Sequence, residues 1–192
     1  MIRRASCIIC RGGWVAANSN ATYCIPGVLR MIKLVASACI EASAEIVWAR
    51  LAKLDDIQLW SEPILSARCE GAASQGVGAQ RTCELKGHVT IKEHWVAWDE
   101  GRSFAYEGFG IPLMKRAANR WSVLPQGERS LLTSEAELEI KGGIFGKLLE
   151  AILAPMMRRM APSALAPFKY FVEHGHPYEG KVSELPRVPA AC

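Results

Sequence analysis

The chain has 192 residues, enough for one domain with a substantial core and short for two. With 50% hydrophobic and 22% charged residues it has the profile of a soluble globular protein. No apolar run suits a bilayer span, since the best, Gly142 to Met157, is interrupted by Lys147 and Glu150. The net charge of +4 comes from the N-terminus: Arg3, Arg4, Arg11, Arg30 and Lys33 all precede the first carboxylate, Glu41, and without those five the 23 basic groups fall to 18 against 19 acids. A nearly neutral body argues against a phosphate-tracking surface, so no nucleic-acid partner is expected.

Residues 1–30 break any periodicity with Gly12 and Gly13, Asn18 to Asn20, and Pro26 and Gly27. A transit peptide shares the arginines and the missing acids but should form an amphipathic helix, and a secretory signal needs an unbroken apolar segment. Fold-like patterning begins just after Met31. Residues 1–30 are therefore read as a disordered or non-native extension, with a start at Met31 favoured over a targeting segment, and residues 31–174 as the domain.

From Lys33 to Glu41 alternation predicts a strand with Leu34, Ala36, Ala38 and Ile40 on one face. Ser43 is a plausible N-cap for a short helix over Ala44–Leu54, and Asp55–Trp60 reads as a second, ended by Pro63. Six strands follow: Ile64–Glu70, Ala79–Lys86, Val89–Trp98, Ser103–Phe109, Leu113–Leu124 and Ser130–Ile140, separated by turn-like Gly and Pro segments. After Gly142 and Gly143 the period becomes helical. Ile144, Phe145, Leu148, Leu149, Ile152, Leu153, Met156, Met157 and Met160 recur at spacings of three and four. Pro155, Pro162 and Pro167 must kink or segment this long helix, because each lacks the amide proton of the helical ladder. Residues 175–192 read as an extended tail.

One greasy sheet face and one long greasy helix will cover each other. The fold class expected is α+β: a curved antiparallel sheet of about seven strands around a long C-terminal helix, with two short helices after the first strand.

The strand opening, Ala44 to Trp48, Trp60 to Pro63, Gly76 to Arg81, the strand holding Glu93 and the ending Phe168 to Glu173 stand in an order that resembles the START-like (SRPBCC) superfamily. Within it the likeness is to the polyketide cyclase/dehydrase and lipid-transport group, over about residues 33–174. That resemblance implies a helix-grip fold with a cavity for sterols, lipids, polyketides, aromatics or quinones. It implies no particular reaction, because the superfamily has no universal catalytic motif to carry over.

The residues themselves nominate a site. In Ala79–Lys86 the odd positions are Ala79, Arg81, Cys83 and Leu85, so Arg81 is the lone charge on the apolar face. In the next strand Val89, Ile91, Glu93, Trp95 and Ala97 share a face, and Glu93 is the exception there. A three-residue connection pairs Leu85 with Val89 and therefore sets Arg81 opposite Glu93. An inward-facing ion pair is predicted. It either closes a structural gap or orients a polar group on a greasy ligand. Trp60, Trp95, Tyr106 and Trp121 are candidate cavity walls, Asn119 the neutral polar candidate inside, and Met156 and Met160 adaptable linings on the helix.

No metal site is expected: His174 and His176 lie in or beside the tail and lack a third ligand, and His88 and His94 fall on the outer face. No cofactor is expected either, since the glycines around Val77 open a strand and not a helix. The seven cysteines are irregularly spaced and read as reduced thiols of a cytoplasmic protein. The function expected is binding or carriage of a small hydrophobic molecule. The alternatives are a cyclase/dehydrase-type enzyme using Arg81, Glu93 and Tyr106, and a membrane-peripheral lipid-transfer module using Lys147, Arg158 and Arg159. Oligomeric state is not legible.

Overall fold

The computed structural model describes residues 31–192. The readings of residues 1–30, with Cys7, Cys10 and Cys24, lie outside the described residues.

Seven strands form one antiparallel sheet: β1 (Ile32–Ile40), β2 (Ile64–Glu70), β3 (Gln80–Leu85), β4 (Val89–Asp99), β5 (Ser103–Phe109), β6 (Met114–Gln126) and β7 (Arg129–Ile140). Their spatial order is β1-β7-β6-β5-β4-β3-β2, so the six strands after the short helices make a meander and β1 closes onto its last member. The connection between β3 and β4 pairs Leu85 with Val89, with Gly87 and His88 both at positive φ (87° and 59°). That tight turn sets the register of the two strands that carry the charges.

The helical elements are α1 (Ala44–Leu51), a 3-10 turn Leu54–Asp56, α2 (Ile57–Trp60), α3 (Gly143–Met160), a 3-10 stretch Ala161–Leu165, α4 (Ala166–His174) and a 3-10 turn Val182–Glu184 in the chain end. The expected long helix is thus divided. Pro155 is carried inside α3, whereas the stretch holding Pro162 tightens to 3-10 before α4 begins.

This division splits the core. The main cluster joins α1 (Val47, Trp48, Leu51), the sheet (Ala38, Ile40, Trp95, Phe104, Trp121, Leu132) and Leu165, Phe168 and Val172 from the end of the chain's helical region. α4 is therefore the helix the sheet grips most deeply, and Phe168 is fully buried. Burying such a side chain is worth roughly 1.5–3 kcal/mol. A smaller cluster of Ile32, Ile140 and Ala154, with Leu138, Leu149, Leu153 and Met157 around it, fixes α3 to the β1–β7 end.

β4 departs from strict alternation. Its pairing with β5 shifts between Trp95 and Ala97, after which Trp98 pairs with Phe104. Ala97, expected on the inner face, is exposed, and Trp98 packs on the core with its ring stacked on Phe104 at 5.4 Å. A bulge inserts one residue and reverses which side chains face inward.

The cysteines also differ from expectation. Cys39 and Cys192 form a disulfide, with Cα atoms 5.0 Å apart across a sequence separation of 153. Cys69 and Cys83 are free. The stretch after His174 returns along β1: Cys39 N–H donates to Pro189 O at 2.8 Å, and Val188 packs on the main core. Lys169 Nζ donates to Cys39 O at 2.8 Å. These contacts satisfy polar groups on the outer edge of β1 that would otherwise invite pairing with another chain.

Candidate functional site

Arg81 on β3 and Glu93 on β4 are register partners, and both side chains are buried, at 4% and 6% exposure. Glu93 Oε2 accepts from Arg81 Nε at 2.7 Å and lies 2.5 Å from Arg81 Nη2. Arg81 Nη1 donates to the Leu54 carbonyl, and the guanidinium lies over the Trp95 ring at 5.0 Å. The arginine thus bridges the sheet to the segment that carries α2. Two buried charges in an apolar interior require this degree of pairing. Burial opposes the charge on Arg81, but Glu93, with smaller contributions from Tyr106 and Cys83, outweighs it and holds the guanidinium above its ordinary value.

Around this pair the sheet presents aromatic rings. Trp95 and Tyr106 are register partners with centroids 5.0 Å apart. Tyr106 also faces Asn119 on β6, whose Nδ2 donates to the phenolic oxygen at 3.5 Å, the outer limit of a hydrogen bond. Asn119 Oδ1 accepts from Ser134 Oγ at 3.1 Å. Trp60, from α2, closes the other side with its ring 5.9 Å from Trp121 and 5.0 Å from Phe168.

Burial raises the Tyr106 phenol above its usual range, and Glu93 adds to the effect. Burial likewise pushes the Cys83 thiol up to about 12, opposed by Arg81 and reinforced by Glu93. Neither group ionises near neutral pH. Both keep their protons, so neither acts as a base or a thiolate nucleophile.

The structure brings Trp60, Arg81, Trp95, Tyr106 and Trp121 around one hollow, with Leu51, Lys53, Ile57 and Phe104 completing the wall. Glu93 and Asn119 sit directly behind it as partners of Arg81 and Tyr106. Phe104 shares the inner face two residues from Tyr106 and was legible by alternation. The Leu54 carbonyl carried no signal, because a backbone acceptor has no residue type.

Met156 and Met160 are not part of the site. They are 53% and 62% exposed, because the break at Ala161–Leu165 gives the central core to α4 and turns this side of α3 to solvent. The hollow is also smaller than expected. It measures about 10 Å3, at the lower limit for a single water, because large rings fill the space between sheet and helices. Trp95, one of its lining residues, carries an indole Nε1–H that is buried without a hydrogen-bond partner, the one such side-chain atom among the described residues. Leaving a buried donor unpaired costs about 1–3 kcal/mol.

Among the described residues no group of three His, Cys, Asp or Glu side chains could hold a metal ion. No helix among them is long and apolar enough to cross a membrane.

A family profile described as "Polyketide cyclase / dehydrase and lipid transport" matches residues 31–172. The chain belongs to this family. The match spans every strand and all but the last residues of α4, so the elements that build the hollow are the family's own. No curated protein matches the sequence.

Solved structures agree on the fold. A START superfamily protein from Mycobacterium smegmatis superposes with a TM-score of 0.55 at 15% identity, covering 69% of this chain and 93% of that one. The Zhui aromatase/cyclase of a Streptomyces species gives 0.58 at 15% identity, covering 78% and 100%. A protein of Thermus thermophilus gives 0.59 at 19% identity, covering 74% and 98%. The polyketide cyclase family member described here therefore has the START-like helix-grip architecture.

Proposed function

We propose that this family member binds a small, largely apolar molecule carrying a hydrogen-bond acceptor such as a carbonyl or hydroxyl oxygen. The observation that carries the reading is the unpaired indole N–H of Trp95 beside a buried Arg81–Glu93 pair in an otherwise aromatic hollow. A guest oxygen there would take up a donor that folding left unsatisfied, while its apolar body would lie against Trp60 and Trp121.

A hollow of about 10 Å3 means that one wall must yield for a guest to enter. The sheet side is held by continuous strand pairing. The helix side is α2, a single turn with no fully buried residue, held by the packing of Trp60 on Trp121 and Phe168, by the Ala67 N–H bond to Gln58 Oε1, and through the preceding turn by the Arg81 bond to Leu54 O. Displacing residues 54–60 would free Arg81 Nη1 to address the guest and would enlarge the space by the volume of the Trp60 ring. Binding or carriage is favoured over cyclase/dehydrase chemistry: Glu93 is engaged by Arg81, and Tyr106 and Cys83 hold their protons.

Titration of the full chain with a fatty acid, a short-tailed quinone and a naphthol, followed by tryptophan fluorescence, tests this. Saturable quenching by at least one probe, lost in Trp95→Phe and Trp60→Ala/Trp121→Ala, is the expected result. No saturable change with any of the three, together with no co-purifying small molecule in native mass spectrometry, would sink it.

A further inference from the structure

We infer that the outward face of α3 seats the protein on an anionic lipid surface. α3 meets the sheet through Leu149, Leu153, Ala154 and Met157. Outside these contacts it carries Ile144 and Phe145, each 84% exposed, then Leu148, Ile152, Met156 and Met160, each more than half exposed. From Ile144 onward the row repeats every fourth residue, so the side chains form a stripe that winds about 40° per step along an 18-residue helix about 27 Å long, from the face opposite the sheet at Ile144 toward the rim of the sheet contact at Met160. Single exposed apolar residues are ordinary, but a continuous stripe of this length marks a surface that is covered in use.

Charge selects the occupant. Lys147 and Arg158 lie on one flank of the stripe, Arg159 near its C-terminal end, and Lys141 just ahead of the helix; all four are exposed. The lone acid of α3, Glu150, is half-buried on the sheet side. A second copy of this chain, packed stripe to stripe, would bring these cations onto one another with no exposed acid on the helix to answer them. An anionic bilayer surface accepts both components at once: apolar side chains enter the headgroup boundary and the flanking cations meet lipid charge.

A second element extends the same surface. Leu113, in the connection between β5 and β6, is 60% exposed at a φ of 65°, and its carbonyl accepts from Lys141 N–H at 2.8 Å. This apolar tip therefore stands beside Lys141, two residues ahead of α3. The contact is peripheral, because no described helix is long and apolar enough to cross a membrane.

Flotation of the full chain on liposomes tests the inference, with phosphatidylcholine alone compared with phosphatidylcholine containing phosphatidylserine. The protein should float with the serine-containing vesicles and much less with the neutral ones. Ile144→Ser/Phe145→Ser/Leu148→Ser alters only exposed side chains; it should leave circular dichroism unchanged and abolish flotation. Lys147→Glu/Arg159→Glu should weaken partition about tenfold or more on the charged vesicles. Wild-type protein remaining unbound, or flotation unaltered by the triple substitution, would overturn the inference. So would a dimer in sedimentation that the triple substitution splits, which would assign the stripe to a second copy. The stripe lies apart from the tryptophan-lined hollow, so failure here leaves the fluorescence titration intact, and the converse also holds.

Discussion

Glu93 stands opposite Arg81 on the neighbouring strand, and its Oε2 lies 2.7 Å from Arg81 Nε and 2.5 Å from Nη2. The pair is buried, so its members depend on each other far more than either depends on solvent. Glu93→Gln leaves the guanidinium without a counter-charge and should lower unfolding stability by about 3–5 kcal/mol. Arg81→Met/Glu93→Leu, which removes both charges, should recover most of that loss. Urea denaturation of the two variants checks this. Equal destabilisation by both would show that the charges contribute through packing and not through each other.

The Cys39–Cys192 bridge holds the returning chain end against β1. Reduction, or Cys39→Ser, should lower stability by about 2–5 kcal/mol. It should also expose the edge of β1, seen as faster amide exchange at Cys39. A melting temperature unchanged by reductant would contradict this. Disulfides persist where surroundings are oxidising. The cytoplasmic placement expected from reduced thiols is therefore open to direct test, by counting free thiols in protein isolated without reductant.

Alkaline pH should destabilise the fold through Cys83 and Tyr106. Both groups have folded-state values raised by burial. Their contribution is fully present below the unfolded values, about 8.5 for a thiol and about 10 for a phenol. It is lost as pH rises toward the folded values, since the unfolded chain releases those protons first. Melting curves at successive pH values above about 9 should fall more steeply for wild type than for Cys83→Ala/Tyr106→Phe. Parallel curves would refute the assignment.

Gly146 sits where α3 approaches the strand end. A Cβ there would lie 2.5 Å from the Lys141 carbonyl oxygen, a backbone atom with little room to yield. Gly146→Ala should cost about 1–3 kcal/mol, despite alanine's better helix propensity. Amide exchange should localise the loss to α3 and leave α4 protected.

Much of this molecule could be read along the chain. Arg81 and Glu93 were identifiable because strand alternation made each the single charge on an apolar face, and a short turn left one register between them. The seven strands followed from the same period. Long-range facts had no such signal. The bulge at Val96 reverses alternation without changing composition. The partner of Cys39 depends on where the chain end travels after His174. Whether α3 or α4 fills the central core depends on how the 3-10 stretch redirects the helix, which is why Met156 and Met160 belong to the surface. The volume of the hollow is a small difference between the space a curved sheet encloses and the rings packed into it. Local pattern specifies which side chains point inward, but how closely they fit is settled when all of them meet.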